Sequence, residues 1–588
     1  MLPRLARGLR GPAAALGGAA AAAAACTYGA DAEYRSIPES ELPQTYDPQA
    51  IANTWNAHPR CIVSRVSTIA RHSVPFAVRI GIEYARPPAN ETDDARDARY
   101  SARAVELRRI LTDLGPTFIK FGQALSIRPD VLPGPVVYEL QKLCDAVPSY
   151  PTPLALELIE RELGRPAQAV FADLDETSEP IAAASLGQVY RCTLRDGGRE
   201  VALKVQRPDM IRAVSLDLHI LRSYMKFVEW FKKRVLTGVF GAADRDAFDV
   251  RLLDTFARAS YLELDYRHEA DNLERFEREL VPRLGGKVHV PACHRAVTTR
   301  KVLATDWIEG EQLAKSPPEV INRLIGTGVG CFLAQLLDVG FFHSDPHPGN
   351  LLVDGHGRLV LIDFGLCAEI EAFDTRQLTS AIVNLMRGDV EGLVEDAITL
   401  RFLPPDVDKE ALLPPLKRVF ERGQLAAANF RTGQAGGASS ATGSAGGYAA
   451  VEAKRAQFAA ISRELNQIFF QFPFTVPEYF ALITRALIVL EGIALTGDKD
   501  FDLFQAAYPL AAAHAVRLFG SKEVAKMMQT AAVHLPRAAP GIPPIGEEAA
   551  PARPGTPQRD ASGLDEGVTQ APRRRLSLQA SAPATSWC

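Results

Sequence analysis

The side chains best suited to chemistry lie in two short stretches, HSDPHPGNLLV (His343 to Val353) and LVLIDFGL (Leu359 to Leu366). Asp345 and Asn350 stand five positions apart, and Asp363 follows thirteen later behind an apolar run that reads as a strand. Magnesium takes hard oxygen donors, so Asn350 and Asp363 are candidate metal ligands beside phosphate oxygens. Asp345 is suited to accept a hydroxyl proton or to orient a water. An Asp, an Asn and then an Asp-Phe-Gly is the order that phosphoryl transfer uses, a reaction that demands positioning and charge neutralisation above all. Asp-Phe-Gly alone is weak evidence; the joint spacing is far more specific.

These groups need a partner strand. EPIAAASLGQVYRCTL followed by REVALKVQRP reads as two strands joined by a turn at Asp196 to Gly198. Lys204 then sits on the second strand, where its ammonium can reach nucleotide phosphates, although a lysine at an ordinary sheet edge has the same look. In YLELDYRHEADNLERF, Glu269 is the candidate ion-pair partner of Lys204, against the plainer reading of a solvated acidic face. A hinge is expected near TDWIEGEQL, with Thr305, Asp306, Trp307 and Ile308 lining the adenine site. Between Lys204 and Glu269 the periodic run LDLHILRSYMKFVEWF predicts extra helices. The fold class that accommodates all this is α+β, a kinase-like two-lobed domain with an enlarged N-lobe.

Other signals exclude competing chemistries. GTGVGC (Gly326 to Cys331) lies inside an apolar helical pattern without the preceding strand that a dinucleotide turn requires, and no GxxxxGK[ST] is present. His343 has no second histidine at ligand spacing and reads as structural. With 66 basic and 70 acidic residues the net charge is −4, which gives no bulk attraction to nucleic acid. Eight scattered cysteines form no CxxC pair and read as reduced thiols. The longest apolar candidate, ALITRALIVLEGIALTG, carries Arg485 and Glu491, so no typical membrane span is expected there.

Along the chain, residues 1–30 carry Arg4, Arg7 and Arg10, a long Ala/Gly run and no acid, which reads as an organellar transit peptide. A helical linker region follows over 31–103. Within it, Cys61 to Ala85 suits an amphipathic helix on a core or an interface, kinked at Pro75, and the core reading is the simpler. The remaining divisions are 104–170 as an N-terminal extension, 171–310 as the N-lobe, 311–535 as a helical C-lobe with a Gly/Ser-rich insertion at 431–448, and 536–588 as a Pro/Ala/Arg-rich tail.

Taken together, KFGQ (Lys120 to Gln123), AAAS (Ala182, Ala183, Ala184, Ser185), ELD (Glu263 to Asp265), HSDPHPGN and DFG resemble the UbiB family, also called ABC-one or ADCK, of atypical protein-kinase-like proteins. The resemblance runs over roughly Ala104 to Gly365 and more loosely to about 530. It implies that Lys120 and Gln123 belong to an extension folded over the active site as a lid, with Glu263 and Asp265 as its acidic counterpart. It also implies that AAAS replaces the glycine-rich nucleotide loop, and that Lys204, Glu269, Asp345, Asn350 and Asp363 handle ATP and Mg2+. Alanine methyls crowd a loop that glycine would let approach phosphate, so altered nucleotide geometry is expected. Ser344 replaces the arginine that would clamp an activation-loop phosphate, so no loop-phosphorylation switch is expected. His347 replaces the catalytic-loop lysine, so slow transfer or ATP hydrolysis is expected. Family members act in prenylquinone and isoprenoid-lipid metabolism. The implied partners are therefore a nucleotide and a lipid or prenylquinone-like small molecule, with peripheral association with a membrane or lipid droplet. The details lean towards plastid members, so chloroplast is the expected compartment and mitochondrion the alternative. A conventional protein Ser/Thr kinase and a non-catalytic nucleotide-binding scaffold are the competing functions.

Overall fold

The structure is a computed structural model. It describes residues 30–86, 92–126, 132, 134–144, 148–231, 250–344, 347–431, 468, 471–472, 474, 477–498, 501 and 503–521. Residues 1–533 form one compact unit, and none of the second unit, 534–588, lies among the described residues. The expected transit peptide, the Gly/Ser-rich insertion, the C-terminal tail and Asp345 therefore lie outside them, save for Ala30 at the end of the first and Arg431 at the start of the second.

The chain opens with helices: α1 (Pro48–Asn56), α2 (Pro59–Ala85), α3 (Asp93–Leu114), α4 (Pro116–Leu125), α5 (Gly134–Gln141), α6 (Thr152–Leu163) and a short α7 (Ala167–Val170). Pro48 at the start of α1 supplies a helical φ, and the Asp47 side chain accepts from the free amides of Gln49 and Ala50, so this start is fixed locally. Next come β1 (Ala182–Ala183), β2 (Gly187–Thr193) and β3 (Glu200–Gln206), then α8 (Met210–Phe231), α9 (Val250–Glu263) and α10 (Tyr266–Glu279). The strands β4 (Val288–His289), β5 (Val302–Asp306) and β6 (Gly310–Gln312) lead into the C-lobe. The expected turn is present: Gly197 (φ 81°) and Gly198 (φ 63°) take left-handed conformations that favour glycine.

The first sheet runs β1-β2-β3-β5, antiparallel throughout. On β3, Val201, Leu203 and Val205 turn inward to pack with Leu158 and Ile159 of α6. The two-residue period of a strand then sends Ala202 and Lys204 to the opposite, cleft-facing side. α8, the expected insertion, packs on α1 and α9 through Ile211, Val214, Leu253 and Ala257, with Trp55 fully buried among them.

The second lobe holds α11 (Pro318–Leu333), β7 (Phe341–His343), β8 (Leu351–Asp354), β9 (Leu359–Leu361) and β10 (Cys367–Glu369). The helices α12 (Ala372–Arg387), α13 (Val390–Thr399), α14 (Lys409–Arg431), α15 (Glu478–Gly497) and α16 (Leu503–Phe519) follow. GTGVGC lies within α11, as its helical pattern requires, and Gly328 packs against Leu490 of α15.

Two expectations need correction. The apolar run expected to be the longest falls in α15, but among the described residues the helix long and apolar enough to cross a membrane is Pro318–Val339, with 61% of its window buried in the protein. It is a core helix by its packing, with Gly328 facing Leu490 and Gly330 facing Leu510. The second correction concerns α2. Of its residues only Cys61 is buried, while Val63, Val66, Val74, Val78, Ile80, Ile82 and Tyr84 are exposed. Arg65 turns inward instead, bonding the buried Asp217 carboxylate and the Leu114 carbonyl, while Arg79 pairs with Glu106 at the surface. The amphipathic face is real, but its valines face outward, and the helix is held by the Arg65–Asp217 pair with Ile62 and Ile69 packed against the neighbouring clusters. Cys61, Cys192, Cys293, Cys331 and Cys367 are free thiols, in line with the spacing.

Candidate active site

Lys204 leaves the cleft face of β3 and places its ammonium 2.8 and 3.0 Å from the two Glu269 carboxylate oxygens. Glu269 lies in the first turn of α10, whose start is capped by Asp265 accepting from the Arg267 amide. The same ammonium stands 3.3 Å from Asp363 Oδ1. Asp363 reaches this position through register and strain. Leu351 faces Leu361 in the β8–β9 hairpin, and the Ile362 amide donates to the Asn350 carbonyl at 3.0 Å, which puts Asn350 beside the residue preceding Asp363. Asp363 then takes φ 64°, a left-handed conformation costly for a non-glycine residue, and its carboxylate receives the Gly365 amide at 3.3 Å.

Phe364 is fully buried against Phe276 of α10 at 5.0 Å and His343 at 5.4 Å, between ring centroids. Asn272 donates to the Phe364 carbonyl at 2.9 Å, so α10 holds both the Glu269 carboxylate and the Asp-Phe-Gly turn. Neither Asn272 nor Tyr266 was singled out by sequence reasoning. The spacing of Glu269, Asn272 and Phe276 along one helix face was the available signal. His343 is buried and meets Phe364 edge to face, consistent with its structural reading.

One ammonium faces two carboxylates. Burial of Glu269 pushes its carboxyl up to about 7, even though Lys204 pulls the other way. Crowding around Asp363 also favours its neutral form, but the Lys204 ammonium outweighs this and holds that carboxyl well below the usual range. Burial alone would lower Lys204, yet Asp363 and Glu269 keep its ammonium firmly charged. The cluster carries a surplus of carboxylate that a cation would offset. Among the described residues no three Asp, Glu, His or Cys side chains form a metal cage. A donor set of one amide and one carboxylate fits magnesium, which dehydrates reluctantly and is commonly completed by phosphate oxygens.

The AAAS segment starts on the edge strand of the first sheet. Ala182 and Ala183 form β1, paired with Val189 and Gln188, and the Ala184 amide bonds the Gly187 carbonyl at 2.8 Å. Arg207 pins the Ala184 carbonyl at 3.1 and 3.2 Å, and Ser185 is buried. At the other edge, Thr305 pairs with Ala202, and the Trp307 amide bonds Glu200 at 3.0 Å. The Asp306 carboxylate is taken by His294 at 2.8 Å, the Trp307 ring lies under Arg191, and Ile308 follows half-buried. His347 accepts the Gly349 amide through Nδ1 at 3.1 Å, which shapes the turn before Asn350.

The lid residues divide. Lys120 bonds Glu263, both largely buried, beside Leu186 of the nucleotide-loop hairpin, and its charge also bears on Asp363. Asp265 is not its partner: it caps α10 and pairs with Arg267 at 2.6 Å. Gln123 donates to the Leu143 carbonyl at 3.2 Å, fastening α4 to the turn after α5.

Comparison with known proteins identifies the family. Residues 142–397 match the model of the ABC1 atypical kinase-like domain. The protein ACTIVITY OF BC1 COMPLEX KINASE 3, chloroplastic, of Arabidopsis thaliana is 36% identical over 81% of this chain and 62% of its own length. Two uncharacterized Synechocystis proteins, sll0005 and slr1919, are 37% and 34% identical over 79% and 81% of this chain, and 62% and 77% of their own lengths. This chain thus spans about 62% of the first two relatives. The chain belongs to the ABC1 atypical kinase-like family, with an α+β kinase-like fold.

Proposed function

We propose that this protein is an ATP- and magnesium-dependent atypical phosphotransferase or ATPase. The observation that carries the reading is the meeting of Lys204, Glu269 and Asp363 within 3.3 Å, beside the turn that holds Asn350. A strand ammonium aimed at phosphates and a surplus carboxylate for magnesium are the parts that phosphoryl transfer needs. Asp345 would accept the proton of the attacking hydroxyl or water. A lid role for Lys120, supported by its pair with Glu263 beside Leu186, would favour a small acceptor over a peptide. The relatives' names support kinase-type activity and a chloroplast location, and the family resemblance supports a prenylquinone or isoprenoid-lipid acceptor or pathway. The outward apolar face of α2 supports contact with a lipid surface. The test supplies purified protein with magnesium and γ-labelled ATP, with and without a prenylquinone-like lipid, and follows the label. Label on the lipid or in free phosphate, abolished by Asp363→Asn, supports the reading; no magnesium-dependent ATP consumption under either condition rejects it.

A further inference from the structure

Tyr266 opens α10 and is 2% exposed, with its ring packed on Ala270 and Leu303. The Lys204 ammonium stands 5.2 Å from the ring centroid, a cation–π distance. Its hydroxyl has no hydrogen-bond partner. That hydroxyl presses against Gly187, where an added Cβ would stand 2.6 Å from it and 2.5 Å from the Val205 carbonyl. Gly187 is the residue whose carbonyl closes the AAAS hairpin. The hydroxyl therefore ends beneath the AAAS hairpin, which the nucleotide reading places over the phosphates, and the ring lies against the Lys204 ammonium.

A buried donor without an acceptor is costly, and phenylalanine would fill the same space without that cost. The neighbouring ammonium marks the missing acceptor as an anion. We propose that Tyr266 is a phosphate-binding residue: its ring supports the Lys204 ammonium while its hydroxyl donates to a phosphate oxygen of the bound nucleotide. This rests on the nucleotide reading above. Glycine at position 187 is compatible with this role: an added Cβ would meet both the Val205 carbonyl and the hydroxyl.

The test compares wild type, Tyr266→Phe and Lys204→Met for binding of ATP, ADP and adenosine with magnesium, by calorimetry and by ligand-induced shift in melting temperature. A hydrogen bond to a charged acceptor predicts a loss of ATP and ADP affinity on the order of tenfold in Tyr266→Phe. Adenosine binding should be unchanged, and the ligand-free melting temperature equal to or above that of wild type. A purely structural tyrosine would instead lower the ligand-free melting temperature and leave the ATP-to-adenosine affinity ratio alone, which overturns the proposal. If Lys204→Met weakens ATP while Tyr266→Phe does not, only the role of Tyr266 fails. If wild type binds no nucleotide, the site reading fails and this inference with it.

Discussion

Glu269→Gln separates what the cluster does for catalysis from what it does for stability. The substitution keeps the shape and one hydrogen-bond acceptor for Lys204 but removes a charge 2.8 Å from the ammonium. Losing a charge-assisted bond in a preorganised site costs about 1.5–3 kcal/mol of transition-state binding, hence roughly 10- to 150-fold in kcat/KM. Stability should move the other way. The Glu269 carboxyl is pushed up to about 7 by burial, against an ordinary 4.5. A raised carboxyl contributes stability that is fully present below the ordinary value and is lost as pH rises through the raised one. Glutamine is neutral at every pH, so the difference between variant and wild type should open between pH 4.5 and 7. Its upper bound at pH 8 is about 3 kcal/mol in favour of the variant, reduced by what Lys204 gives up, since Asp363 at 3.3 Å remains. Denaturant titrations at pH 5 and pH 8, beside ATP-consumption kinetics, read both arms. A variant destabilised by the same amount at both pH values, with kcat/KM intact, would refute the reasoning.

Three further outcomes follow from particular contacts. Lys120→Ala removes the cation beside the nucleotide loop and should speed nucleotide association about tenfold in stopped-flow measurements; unchanged association and turnover would end the lid reading. Asn272→Ala frees the Phe364 carbonyl and should reduce turnover more than nucleotide affinity, at a stability cost of about 1 kcal/mol by denaturant titration. Arg65→Ala leaves Asp217 buried without its bidentate partner and should cost about 3–5 kcal/mol of stability, with nucleotide affinity of the folded protein unchanged. Equal stability of Arg65→Ala and wild type would show that α2 is anchored elsewhere.

Much of this was legible in the residues because local rules govern them. Strand alternation placed Lys204 on the cleft side of β3, the Asp-Gly-Gly turn closed the hairpin, and the pairing of Lys204 with Glu269 followed from one ammonium needing one nearby acid. Other features depended on three-dimensional competition that spacing does not encode. Glu263 and Asp265 are two positions apart and chemically alike, but one faces Lys120 and the other is consumed by the cap of α10. Gln123 shares a motif and nearly a helix face with Lys120, yet its amide is taken by the Leu143 carbonyl. The apolar pattern of α2 promised burial, and its outward direction is decided by Arg65 finding Asp217, 152 positions away. Tyr266 looks like an ordinary aromatic until Gly187 and Lys204 are brought against it.

The central claim is that Asp363 holds the magnesium of a bound nucleotide. Calorimetric titration of wild type and Asp363→Asn with ATP, with and without magnesium, tests it most directly. The account predicts that magnesium tightens ATP binding to wild type by at least tenfold and leaves the variant nearly indifferent to the metal. Equal magnesium dependence in the two proteins would contradict it.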